Sequence, residues 1–89
     1  MPVLSIFYGV IIRMYFFDNK EHHVPHIHAE YSGDLAVYAI ENGECLAGAL
    51  PANKERLVQA WIEIHKEDLN ANWSLAIQGQ QVFKINPLQ

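Results

Sequence analysis

The fold is decided by the stretch His26-Ile27-His28-Ala29-Glu30-Tyr31, followed by Ser32-Gly33-Asp34, the run Leu35 to Glu41, Asn42-Gly43 and the run Glu44 to Leu50. In the first segment Ile27, Ala29 and Tyr31 alternate with His26, His28 and Glu30, the period of a strand with one apolar and one polar face. Gly33-Asp34 reads as a tight turn. Asn42-Gly43, between two further apolar runs, is the strongest short-range hairpin signal. Short turns of this kind join neighbouring antiparallel strands, so the segment predicts a meander with strands over about 26–32, 35–41 and 44–50.

Upstream, Val10, Ile12, Met14 and Phe16 alternate with Ile11, Arg13, Tyr15 and Phe17, a β-branched and aromatic run with one charge. This predicts a strand over about 10–17, largely buried on both faces, with Gly9 bending its start. Between the two strands, Asp18 to Val24 is polar and ends at Pro25. Proline has no ladder donor and pushes its predecessor to extended backbone, so a loop is expected here. His22 and His23 fall in that loop; His26 and His28 are fixed by the strand.

Downstream of Pro51, Asn53 is a candidate N-cap for a helix in which Leu57, Val58, Trp61 and Ile62 recur at helical spacing. Steps of four then reach His65, Leu69 and Trp73, which places His65 on the apolar stripe. A helix is predicted over about 53–78, either continuous or broken near Asp68 to Asn72, with Gly79 as its terminator. Gln81 to Ile85 is a candidate short edge strand before Pro87. The expected fold is α+β: a four-stranded antiparallel meander covered on one face by one long or broken C-terminal helix, in a single domain over 1–89.

Composition bounds the function classes. The 89 residues are 51 % hydrophobic and 18 % charged, an ordinary globular balance. The six Lys and Arg and the net charge of −4 argue against broad nucleic-acid binding, which draws its affinity from basic side chains that displace counterions. Only a local RNA substrate remains compatible. A single cysteine, Cys45, points to a reducing, cytoplasmic setting. Arg13 interrupts the apolar N-terminal run, which is too short for a membrane span. A domain this small gains from a partner or from self-association, so a homo-oligomer is among the expectations.

Two constellations carry candidate chemistry. His26 and His28 lie two residues apart on one strand face, so they could share a divalent transition metal, with His65, His23 or Glu30 as a third ligand. Arg13 is expected opposite the same face. Arg13, His26, His28 and Glu30 are therefore candidate catalytic residues: two imidazoles could act as base and acid while a guanidinium stabilises a phosphorane, as metal-free RNA cleavage requires. Each also has a structural reading. One histidine would cap a loop carbonyl, Arg13 and Glu30 would form a cross-strand pair, and His65 would be a satisfied core histidine.

Phe7-Tyr8-Gly9, Pro25-His26-Ile27-His28-Ala29-Glu30-Tyr31, Leu50-Pro51, Trp61 with His65, Asn72-Trp73 and Ile85-Asn86-Pro87-Leu88 together resemble a bacterial family known as domain of unknown function 4160. The likeness extends over nearly the whole chain. Family members often carry Pro-Pro before the paired histidines, where Val24 precedes Pro25 here. The resemblance implies a small bacterial protein, often encoded beside another small domain and sometimes grouped with toxin–antitoxin components. It implies no activity. The expectations are thus a partner-binding component of a toxin–antitoxin-like two-gene module, whose partner is encoded nearby; a ribonuclease or metal-dependent hydrolase using His26 and His28; or a structural adaptor without catalysis.

Overall fold

Two-residue reversals shape the sheet. The computed structural model describes residues 3–15 and 24–88. Five antiparallel strands follow one another in space as in sequence: β1 (Val3–Phe7), β2 (Val10–Arg13), β3 (His26–Tyr31), β4 (Asp34–Ala39) and β5 (Cys45–Gly48). Phe7 pairs with Val10 and Tyr31 with Asp34, so the β1–β2 and β3–β4 turns are Tyr8-Gly9 and Ser32-Gly33. All four turn residues have positive φ (50°, 81°, 49° and 89°). These are mirror-image turns, whose twist matches that of the flanking strands.

The meander predicted from His26 to Leu50 is therefore present, but the sheet has five strands rather than four. The extra strand comes from Tyr8-Gly9, where glycine at the second turn position suits the geometry and tyrosine at the first gives no turn signal. The first predicted strand is accordingly shorter: β2 ends at Arg13, Met14 and Tyr15 lie beyond it, and Phe16 and Phe17 are outside the described residues. Asn42-Gly43 does reverse the chain, but in a longer loop in which Gly43 N–H donates to Ala39 O and Glu44 N–H to Asn42 Oδ1.

The helix expected over 53–78, continuous or broken, is broken into two, α1 (Ala52–Ile64) and α2 (Lys66–Ile77). Pro51, not Asn53, occupies the N-cap position. The break falls at His65 (φ −109°, ψ 23°), three residues before the predicted one. His65 N–H still donates to Trp61 O and Leu69 N–H to His65 O. Hydrogen bonding thus carries through a bend, which is why the apolar spacing reads on uninterrupted.

In cross-strand register, Ile12, Ala29 and Ala36 form one row, and Ile27 sits beside Tyr38. This face joins Leu4, Phe7 and Met14 in the core with Val58, Trp61, Ile62, Leu69 and Ala76 from the helices. The Phe7 and Trp61 rings lie 5.4 Å apart, and fully buried Tyr38 donates to Glu55 Oε2 at 3.0 Å. Burial and the Glu55 carboxylate push the Tyr38 phenol well above its ordinary value.

The candidate edge strand over Gln81 to Ile85 is not formed as a strand. This segment is an irregular strap with Val82 and Ile85 buried. Asn72, fully buried on α2, donates to Phe83 O at 2.8 Å and accepts from Phe83 N–H at 3.0 Å. Trp61 Nε1–H donates to Asn86 O, and Ile85 N–H donates to Leu4 O. Side chains thus satisfy backbone groups that a strand partner would otherwise take.

Three outcomes test this packing. Asn72→Ala removes both hydrogen bonds to the Phe83 backbone and leaves a gap at a fully buried position, so chemical denaturation should show a loss of about 2–4 kcal/mol. Gly48 has φ 72°, and a Cβ there would lie 2.1 Å from Leu35 O. Gly48→Ala should therefore destabilise by about 2–4 kcal/mol, with strain and backbone displacement adding together. Tyr38 has a folded pKa above its unfolded one, so its contribution is complete below about pH 10 and is lost as pH rises through the folded value. Alkaline unfolding curves of Tyr38→Phe should lack that component.

Candidate functional site

The helices cover only one face of the sheet. On the other, β2–β3 register sets Arg13 directly opposite His28, with Ile11 opposite Glu30. The sequence placed these side chains on one face by alternation, and the structure brings Arg13, His28 and Glu30 together there. Arg13 Nη1 donates to Glu30 Oε1 at 2.5 Å, an ion pair with side-chain exposures of 28 % and 36 %. It is a diagonal cross-strand pair in a partly dry setting, stronger than one fully in water.

Around it lies a concavity of about 260 Å³. Arg13, Tyr15, His28 and Glu30 form its polar end, while Ile11, Leu35, Val37 and Ala47 are prominent in its apolar remainder. Leu35 is 63 % exposed, and Ile6, opposite Ile11 on the sheet edge, is 58 % exposed. Alternation in β4 puts Leu35 and Val37 here for the same reason that it puts Ala36 and Tyr38 in the core. In the sequence, Leu35, Val37 and Ala47 read as ordinary strand residues. The available signal was that both parities of β4 are apolar, which leaves one apolar set on the side away from the helices.

The two strand histidines have different environments. His26 is 1 % exposed, and its Nδ1–H donates to Val24 O at 2.8 Å. Its ring lies 4.9 Å from Trp73 and 5.4 Å from His28, while His28 meets Tyr15 edge-on at 4.2 Å. Trp73, His26, His28 and Tyr15 thus form a file of four rings from α2 to the concavity. Only His28 lines the concavity, so of the two imidazoles it is the one placed beside Arg13 for acid–base chemistry.

His65 stands elsewhere, at the α1–α2 bend, with its ring 5.4 Å from that of Trp61 and Nδ1 4.0 Å from Asp68 Oδ2. The trio His26, His28 and His65 is therefore not a single cluster. Among the described residues no three His, Cys, Asp or Glu side chains group as metal ligands. His26 and His28 are the pair that could hold a metal, with His26 Nδ1 committed to a carbonyl in the manner that orients a ligating ring. His22 and His23 lie outside the described residues. Cys45 Sγ is within 3.5 Å of Ala47 O and within 3.4 Å of Gly48 O, in keeping with a packing role. No helix among the described residues is long and apolar enough to cross a membrane.

A small α+β domain with one sheet face under two helices and the other bearing an ion pair beside a histidine is the class defined by this geometry. The chain belongs to the family described as Domain of unknown function (DUF4160), whose model matches residues 9–74. The match includes Arg13, both strand histidines, Glu30, His65 and Asn72; β1 and the C-terminal strap lie outside it. No curated protein and no solved structure matches the chain.

The contrast between the histidines is measurable. His26→Ala should cost about 2–3 kcal/mol in urea unfolding, because a buried ring and its hydrogen bond are lost. His28→Ala should cost less than about 1 kcal/mol, as expected of a partly exposed residue.

Proposed function

We propose that this protein is a partner-binding component of a bacterial two-gene module of the toxin–antitoxin kind, and that the sheet face turned away from the helices is its binding surface. The observation that carries the reading is the distribution of apolar side chains. Ile6, Ile11, Leu35, Val37 and Ala47 lie on the side of the sheet away from the helices, two of them more than half exposed, around a half-buried ion pair. Apolar surface of this kind, with a few polar groups at its centre, is how recognition surfaces differ from ordinary solvated sheet faces. The family resemblance supports the two-gene setting, and the net charge of −4 speaks against a nucleic-acid partner.

The rival reading, acid–base or metal chemistry on the same face, rests on His28 facing Arg13 across the strands. One imidazole in place of two supports it less well, since His26 is held by Val24 O and buried.

Co-expression with the product of the adjacent gene, followed by affinity capture and a growth assay, tests the proposal. A stable complex or relief of growth inhibition is expected. Leu35→Asp, at a solvent-facing position, should leave the fold intact and weaken capture at least about tenfold. Capture that is absent, or unaffected by Leu35→Asp, would overturn the proposal. A homo-oligomer seen by light scattering and dispersed by that substitution would assign the face to self-association instead.

A further inference from the structure

Asn42-Gly43 lies in the reversal between β4 and β5, and it is also a dipeptide able to react with itself. A glycine after asparagine opens the backbone nitrogen to the side-chain carboxamide, because no Cβ hinders the close approach. In that reaction the Gly43 nitrogen gives its proton to solvent and forms a bond to Asn42 Cγ. The carboxamide nitrogen takes up a proton and leaves as ammonia. Water then opens the cyclic imide at either carbonyl, giving aspartate or isoaspartate at position 42. No electron is transferred, and water is the co-reactant.

The folded loop restrains each part of the reacting unit. Gly43 is buried, and its N–H donates to Ala39 O at 2.9 Å. Ring closure removes that N–H, so it cannot proceed while the bond to Ala39 O stands. Burial also disfavours the charged form of the nitrogen through which attack runs. Asn42 Oδ1 accepts from Glu44 N–H at 2.9 Å, which fixes the carboxamide on a second backbone group.

A further restraint comes from α1. Gln59 Nε2 donates to Gly43 O at 3.0 Å, and a Cβ on Gly43 would lie 3.4 Å from Gln59 Cγ. The aliphatic stem of Gln59 thus lies against the glycine while its amide holds the carbonyl. Gly43 sits at φ 74° with both of its polar groups bonded. Asn42, in contrast, is exposed, so water and base reach the site once these bonds open.

We infer that Asn42-Gly43 is a gated self-modification site, closed while the β4–β5 loop is docked on α1 through Gln59 and reactive when that loop opens. The product replaces a neutral carboxamide with a carboxylate. As isoaspartate it also lengthens the main chain by one carbon, so the loop that sets β5 beside β4 re-forms over a longer backbone. Each opening that reacts leaves a permanent mark, and the extent of reaction records how often this local unit opens.

The test follows the full chain at mildly alkaline pH, with peptide mass spectrometry scoring aspartate and isoaspartate at position 42. The native chain should react at least about tenfold more slowly than the same chain unfolded in urea, because only the opened fraction reacts. Hydrogen exchange at the Gly43 amide of the native chain should be slowed by the same factor, since both processes need that N–H released from Ala39 O. Gln59→Met keeps the stem and removes the donor; with an otherwise native amide spectrum, it should react at least about threefold faster than the unaltered chain.

A native chain that reacts as fast as the unfolded one, a Gly43 amide that exchanges freely, or a folded Gln59→Met chain with the unaltered rate would each overturn the inference. Should Gln59→Met fail to fold, the unaltered chain decides alone: agreement between the slowing of reaction and of exchange upholds the gate, and disagreement removes it.

Discussion

The indole of Trp61 is the contact on which the rest of the structure depends. Fully buried, it packs its ring against Phe7 of β1, meets His65 at the bend between the helices, and donates its one N–H to Asn86 in the C-terminal strap. Three parts of the chain, β1, the bend between the helices and the strap, thus meet on one side chain. An aromatic group with an apolar body and a polar tip suits such a junction, since it fills volume and satisfies a buried carbonyl at once. Because the core gathers on this side, the opposite face of the sheet is left to other contacts.

That asymmetry ties the outer face of the sheet to the core. The same alternation that sends Ala36 and Tyr38 inward sends Leu35 and Val37 outward, and the same register that aligns Ile12 with Ala29 aligns Arg13 with His28. The polar centre of the outer face is therefore a by-product of core registration: a slip of one residue would exchange the faces and destroy both. The position of the ion pair and the histidine is thus as rigidly specified as the core itself.

Much of this was legible in the residues. Period-two alternation around His26 gave the central strand, the glycine-bearing turns gave the meander, and the spacing of Val58, Trp61, Ile62 and Leu69 gave the covering helices. The first hairpin was not legible, because a tyrosine with positive φ at Tyr8 is tolerated by its surroundings and is not favoured locally. Nor was the strap. The bonding of Asn72 to Phe83 depends on two segments meeting in space, and no local pattern encodes it. At the site, alternation placed Arg13, His26, His28 and Glu30 on one side, but the burial of His26 against Trp73 depends on how α2 meets the end of the sheet.

The bond from Ile85 N–H to Leu4 O has a consequence for assembly. A sheet of five consecutive strands has two open borders, and unpaired borders invite strand addition from other chains. Here the chain's own tail engages the border at β1, with Val82 and Ile85 seated in the core as its anchors. Growth by strand addition is thereby directed away from β1 and toward β5, where the chain turns away at Gly48. The tail acts as a selvedge, finishing the β1 border with the chain's own backbone and leaving the broad outer face to the side chains of the strands.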